Sequence, residues 1–172
     1  MLSTSSRVNE HSTENPLTVM VEIILEASAP AGLDLGKIEA LAEFVCAREG
    51  ARGAWELAIL LTDDARIRAL HKKFMGLDEP TDVMTFPRLP AEFQSLELEP
   101  SGGDIVISLE SVDAQASEYG MIPANEVYFL TVHGVLHLLG WEDESDEQRR
   151  QMLRRQDDLL ATFSLAREAT GS

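Results

Sequence analysis

A chain of 172 residues is long enough to bury a sizeable core in one domain, so neither a disulfide nor a metal is needed simply to hold it together. With 14 Lys and Arg against 30 Asp and Glu, the formal charge of -16 excludes a broad polyanion-binding surface, and any contact with nucleic acid must be local. The single cysteine, Cys46, excludes an internal disulfide and suits a reducing compartment; with no 18-residue apolar run and no signal-peptide core, a cytoplasmic protein with no membrane span is expected.

Residues 1–16 are mainly Ser, Thr, Asn and Glu with almost nothing to bury, and they read as a disordered tail in which His11 faces solvent. The folded domain is expected over residues 17–168. LTVMVEIIL at 17–25 is rich in β-branched residues and predicts a strand. From Leu33 to Arg48 the residues Leu35, Ile38, Leu41, Phe44 and Val45 recur at helical spacing, with Gly50 and Gly53 beyond the end. Cys46 lies in this amphipathic stretch and reads as a small core residue. Trp55–Leu61 predicts a second strand, and Thr62 and Asp63 an N-cap. The helix after them carries Ile67, Leu70, His71 and Phe74 as a stripe, with Arg66, Arg68, Lys72 and Lys73 elsewhere on its surface. That basic cluster is either ordinary solvated charge or a small patch for phosphate, which Lys and Arg hold without reading sequence. A turn then leads to a strand at Val83–Phe86, stopped by Pro87.

Leu89–Gly103 contains Pro90, Pro100, Gly102 and Gly103 and predicts a surface loop, followed by a strand at Asp104–Ser108 and a helix at Leu109–Tyr119. Pro123 opens the next helix, as proline does well in a first turn. Glu144–Arg167 predicts a last amphipathic helix with Met152, Leu153, Leu159, Leu160 and Phe163 inward. This order predicts one α/β (α+β) layer structure, a small mixed sheet covered by helices, with a βαβ unit from Leu17 to Leu61.

The informative segment is VYFLTVHGVLHLLGWED at 127–143. Between Val127 and Leu139 its only clearly polar side chains are Thr131, His133 and His137, the pattern of a helix buried in the middle of a domain. Positions i and i+4 lie about 40° apart on one face, so both imidazoles can turn toward one ion, the HxxxH geometry of a zinc site. Gly140 can end the helix with positive φ and turn the chain back, which brings Asp143 up as a third ligand, with Glu142 and Glu144 as competitors for that place. The whole string H-x-x-x-H-x-x-G-x-x-D combines two ligand types with a helix stop. Three protein ligands leave a fourth position open to water or substrate.

LTDD at 61–64, DEPTDVMTFP at 78–87, GDIVIS at 103–108 and HGVLHLLGWED at 133–143, in this order, resemble the YbeY endoribonuclease family over about residues 17–160. The resemblance implies a zincin-like fold, one zinc ion, cleavage of single-stranded RNA, and a part in 16S ribosomal RNA 3′-end maturation and ribosome quality control. It also implies contact with a ribosomal subunit or ribosomal protein. Two departures stand out. Members usually carry a third histidine where this chain has Asp143, and an arginine important for activity where it has Met75. Methionine cannot stabilise phosphoryl charge, so Lys72 or Lys73 would have to reach in beside His133 and His137, or catalysis is weak or absent. Two other readings compete with the nuclease. One is a ribosome-binding module with a structural metal. The other is a zinc metallopeptidase, which needs a glutamate base directly after the first histidine, where Gly134 stands.

Overall fold

The computed structural model of the chain describes residues 15–88 and 100–169. The predicted tail up to Glu14, His11 with it, and residues 89–99 of the predicted loop lie outside the described residues. Within them the elements run β1 Thr18–Leu25, α1 Leu35–Arg48, β2 Ala54–Thr62, α2 Asp64–Met75, β3 Val83–Pro87, β4 Ser101–Ser108, α3 Leu109–Tyr119, α4 Pro123–Leu138 and α5 Asp146–Ala169. The strands form one mixed sheet in the order β1-β2-β4-β3. β1, β2 and β4 are parallel, with Ile23 opposite Ile59 and Ile59 opposite Ile105, while β3 runs antiparallel to β4 along the edge. The expected mixed sheet covered by helices is therefore present, with β1, α1 and β2 as its parallel crossover unit.

Alternation along the central strands divides the core in two. Leu57, Ile59, Leu61, Ile105 and Ile107 face α1 and α4 in the main cluster, whereas Leu60, Val106 and Met84 face Ile67 and Leu70 of α2 on the other side. α1 buries Ile38, Leu41, Ala42, Val45 and Cys46, and burial pushes the Cys46 thiol up to about 12, so that it remains a protonated core residue and neither ligand nor nucleophile. Asp34 caps α1 by accepting from the Lys37 N–H, and its own N–H donates to the Tyr128 hydroxyl at 3.0 Å, pinning the start of α1 to α4. At the opposite corner the Asp64 carboxylate accepts from the hydroxyls of Ser108 and Ser111 at 2.5 and 2.6 Å, which locks the start of α2 to the β4–α3 junction.

Most boundaries shift by one or two residues from the sequence reading, and two of the differences have a clear physical reason. β4 begins at Ser101 and not at Asp104, because Gly102 and Gly103 belong to the strand and not to the loop. Their φ angles are +111° and +151°, and an added Cβ would stand 2.2 Å from the Glu56 carbonyl oxygen at Gly102 and 2.1 Å from that of Phe86 at Gly103. A glycine pair that resembles loop punctuation is thus the place where β4 presses against both neighbouring strands. The second difference is at α5, which starts at Asp146. Ser145 and Gln148 form a reciprocal capping box, the Gln148 N–H donating to Ser145 Oγ at 3.1 Å and the Ser145 N–H to Gln148 Oε1 at 3.0 Å. Residues 139–145 are thereby left as a loop.

α4 lies in the middle, packed on α1, α3, α5, β3 and β4. Val127, Leu130, Val132, Val135, Leu136 and Leu138 are buried on several sides of it, as an apolar helix requires. Gly134 faces the sheet, where a Cβ would meet the Ile105 side chain at 2.8 Å, so α4 approaches β4 more closely than any other residue at 134 would allow.

Candidate metal centre

His133 and His137 emerge one turn apart at the C-terminal half of α4, both half-buried. The helix ends in a Schellman-type turn: the Trp141 N–H donates to Leu136 O at 3.0 Å, the Gly140 N–H to His137 O at 3.0 Å, and Gly140 takes φ +100°. That reversal carries Asp143 back over the helix end. Its Oδ2 lies 3.2 Å from His137 Nε2 and 3.6 Å from His133 Nε2, and the two Nε2 atoms are 3.0 Å apart.

The outer nitrogens are both engaged. His137 Nδ1 is 2.9 Å from the Trp141 carbonyl oxygen, which only accepts, so Nδ1 carries the proton and Nε2 of the neutral ring is bare. His133 Nδ1 lies 3.1 Å from Gln156 Oε1, which sets the same tautomer. Burial, the larger effect, holds His133 below the ordinary histidine range, with the neighbouring His137 acting the same way and Gln156 and Asp143 opposing. A neutral His133 follows. With both Nδ1 atoms turned outward, two Nε2 atoms and a carboxylate oxygen converge on one point, an arrangement that suits a cation. Ligand atoms around tetrahedral zinc stand about 3.3 Å from one another, given metal–ligand distances near 2.0–2.1 Å. The observed 3.0, 3.2 and 3.6 Å bracket that spacing. The residues present fit a metal ion.

Among the described residues His133, His137 and Asp143 are the group of ligand side chains close enough to hold one ion together. Glu142 accepts instead from Gln148 Nε2 at 3.3 Å, and Glu144 is exposed. Lys72 and Lys73 do not join the triad in any described contact. They lie exposed on α2, which packs on β4 and α3; Lys72 is 3.9 Å from Asp78, and Lys73 stands over the Phe74 ring at 5.3 Å. Arg68 is paired with Asp78 at 2.8 Å and holds that carboxyl below its usual range, so part of the basic cluster is already neutralised. His71 Nδ1 is bonded to Glu79 O, and Met75 is exposed at the end of α2. A cleft of about 540 Å³, lined by Ile24, Leu60, Arg66, Phe74, Phe86 and Asp104, lies on the α2 side of the sheet and contains none of the three ligands.

Sequence reasoning missed Gln156. It occupies the stripe Met152, Gln156, Leu159, Phe163 and is 0% exposed, and a polar residue on an otherwise buried apolar stripe is the signal that could have found it. Its target, 23 residues away in sequence, was not readable. Also missed was Glu126, buried on α4 seven residues before His133, whose carboxyl is raised by burial and then by Asp82. Asp82 in turn is fixed by the Ser108 N–H to its carbonyl at 2.9 Å and by Gln115 Nε2 to its carboxylate at 3.3 Å.

No helix of the described residues is long and apolar enough to cross a membrane. A Thermotoga maritima protein solved in solution shares the fold, with a TM-score of 0.57 at 24% identity over 86% of this chain and 93% of that one. Proteins named endoribonuclease YbeY are similar in sequence. That of Bacillus licheniformis is 34% identical over 140 residues, covering 78% of this chain and 89% of the relative, and that of Cutibacterium acnes is 37% identical over 158 residues, covering 88% and 99%. The profile described as Endoribonuclease YbeY matches residues 33–164. With a His/His/Asp cluster that could hold a metal ion at the end of its buried helix, the chain belongs to the endoribonuclease YbeY family.

Proposed function

We propose that the chain is a zinc-dependent endoribonuclease that cleaves single-stranded RNA, acting in 16S ribosomal RNA 3′-end maturation and ribosome quality control in the cytoplasm, on or near a ribosomal subunit or ribosomal protein. The hydrolase domain is residues 17–168. The observation that carries this reading is the convergence of three acceptor atoms, two Nε2 and one Oδ2, within 3.0–3.6 Å of one another in a chain whose relatives are named as endoribonucleases. When bound, zinc supplies Lewis-acid polarisation of a phosphate oxygen and can lower the pKa of a water to about 7.

The chain's own residues do the rest. His133 and His137, rotated by their Nδ1 partners, and Asp143, held by the turn at Gly140, supply three ligands and leave one position open, as catalytic and not structural sites do. Asp143 brings one more negative charge than a third imidazole would, which lowers the Lewis acidity of the centre. Gly134 leaves no room beside Ile105 for the glutamate base of a metallopeptidase, which favours phosphodiester over peptide hydrolysis. A second reading, binding to the ribosome without cleavage, draws on Met75, exposed at the end of α2 where a cation would be useful.

The reading is tested by stripping the protein with a chelator and assaying an unstructured RNA. Cleavage is expected to vanish and to return with added zinc; an unchanged rate in metal-free protein would discard the metal-dependent reaction. For RNA contact, Lys72→Glu with Lys73→Glu is expected to weaken binding and to flatten its logarithmic salt slope by about 1.4, the loss of two single-strand phosphate contacts. A slope equal to wild type would mean that these charges only face solvent.

A further inference from the structure

Each of the three ligands is tethered to the same element, and that element contains none of them. Gln156 of α5 receives His133 Nδ1. Arg149 of α5 donates Nη1 to the carbonyl oxygens of Asp143 and Glu144, both at 3.2 Å, and pairs with Asp146. The tether to His137 is indirect. Arg155 Nε of α5 lies 2.6 Å from Glu49 Oε1, and Glu49 Oε2 accepts from the Trp141 indole N–H at 3.1 Å, while the Trp141 carbonyl is the acceptor for His137 Nδ1 at 2.9 Å. The Glu49 side chain is only 12% exposed and sits at the C-cap of α1, 92 residues from Trp141 and 106 from Arg155.

We propose that Glu49 is a positioning residue of the metal centre: by clamping Trp141 to Arg155 it fixes the loop whose carbonyl orients His137 and whose next turn presents Asp143, so that α1 and α5 together set the affinity for the ion. The inference rests on the metal-centre reading. Its physical content is that both carboxylate oxygens of Glu49 are used, one on each side, in a largely dehydrated place where charge-assisted hydrogen bonds are strong. Without the carboxylate the indole N–H and the guanidinium lose a shared acceptor, and the 141–143 loop gains freedom that must be lost again on binding. Partners that orient ligands from outside the coordination sphere commonly contribute 10–100-fold to metal affinity. Glu49 reaches the ligand through one intervening residue, and about tenfold is therefore the expected scale.

The test is competition for zinc against a chromophoric chelator, using the full chain as wild type, Glu49→Ala, Glu49→Gln, Arg155→Lys and the exposed neighbour Arg154→Ala. Glu49→Ala should bind zinc about tenfold more weakly. Glu49→Gln, which keeps an acceptor without the charge, should fall between it and wild type, and Arg154→Ala should match wild type. The urea midpoint of each metal-free protein is measured in parallel, because a purely structural role would move that midpoint and leave the zinc affinity of the folded protein alone. Should Glu49→Ala not fold by circular dichroism, Arg155→Lys carries the test, with weaker zinc binding expected. Wild-type affinity in the folded Glu49 and Arg155 variants would overturn the proposal while leaving the metal centre standing. A wild type that takes up no zinc would overturn both.

Discussion

His137→Ala is expected to abolish zinc uptake and RNA cleavage together while leaving the protein folded. The reason lies in how the ligand is embedded. His137 is the only member of the triad in hydrogen-bonding distance of both others, 3.0 Å from His133 Nε2 and 3.2 Å from Asp143 Oδ2, so its removal leaves two ligands 3.6 Å apart with nothing closing the third side. Loss of a direct ligand must exceed the roughly 10–100-fold that loss of an outer partner costs, and residual cleavage below about 1% of wild type is the corresponding expectation. Stability behaves differently. In the metal-free wild type two Nε2 atoms and a carboxylate oxygen crowd one another within 3.0–3.6 Å, and alanine relieves that crowding as it removes a half-buried ring, so the two effects oppose. Zinc at 100 times its dissociation constant should add about 2.7 kcal/mol to the wild type, or roughly 5–10 °C in Tm for a domain of this size, and nothing to the variant. Thermal melts with and without zinc, beside a cleavage assay on single-stranded RNA, check both halves. Equal residual cleavage in the two proteins would remove the histidine pair from the mechanism, and an equal zinc shift would move the ion elsewhere.

The cluster was legible in the sequence because its three members are local. Helical spacing aligns His133 with His137, Gly140 turns the chain, and Asp143 falls within reach, all inside eleven residues whose geometry is set by backbone periodicity and one positive φ. The sheet was legible for a similar reason, since β1 is rich in β-branched residues and β2 alternates along its length. What escaped is non-local. Gln156 announces itself only as a polar residue on an apolar stripe, and nothing in its neighbours says that the partner is His133. Glu49 looks like any acidic residue at the end of a helix, and its role exists only because the fold brings Trp141 and Arg155 to it. Lys72 and Lys73 illustrate the converse. Their density suggested chemistry; the fold leaves them exposed beside Asp78 and Phe74 and in no described contact with the triad, and spacing along one helix carries no information about distance to another.

The glycine pair misread as a loop leads to the second large effect, Gly103→Ala. In β4 Gly103 pairs with Pro87 of the edge strand, and its φ of +151° is one that an alanine rarely adopts. The new Cβ would lie 2.1 Å from the Phe86 carbonyl oxygen and 2.9 Å from Pro87 Cα, both backbone atoms, so no side chain can swing aside. Either β4 rotates at 103 and loses the Arg88 N–H to Gly102 O bond of 2.9 Å, or the end of β3 moves off. Backbone strain alone is worth about 1–3 kcal/mol, and with the clash and the lost pairing the loss should reach about 4 kcal/mol, a large part of the 5–15 kcal/mol that holds a domain together. Gly50→Ala separates the two causes. Gly50 also has positive φ, +77°, but a Cβ there meets nothing within 4 Å, so its cost should stay near the strain of about 1 kcal/mol. Urea denaturation of the two variants beside wild type measures the difference. A Gly103→Ala midpoint no lower than that of Gly50→Ala would mean that the edge strand yields freely. In that case β3, which packs on α4, would not be held rigidly by its pairing with β4.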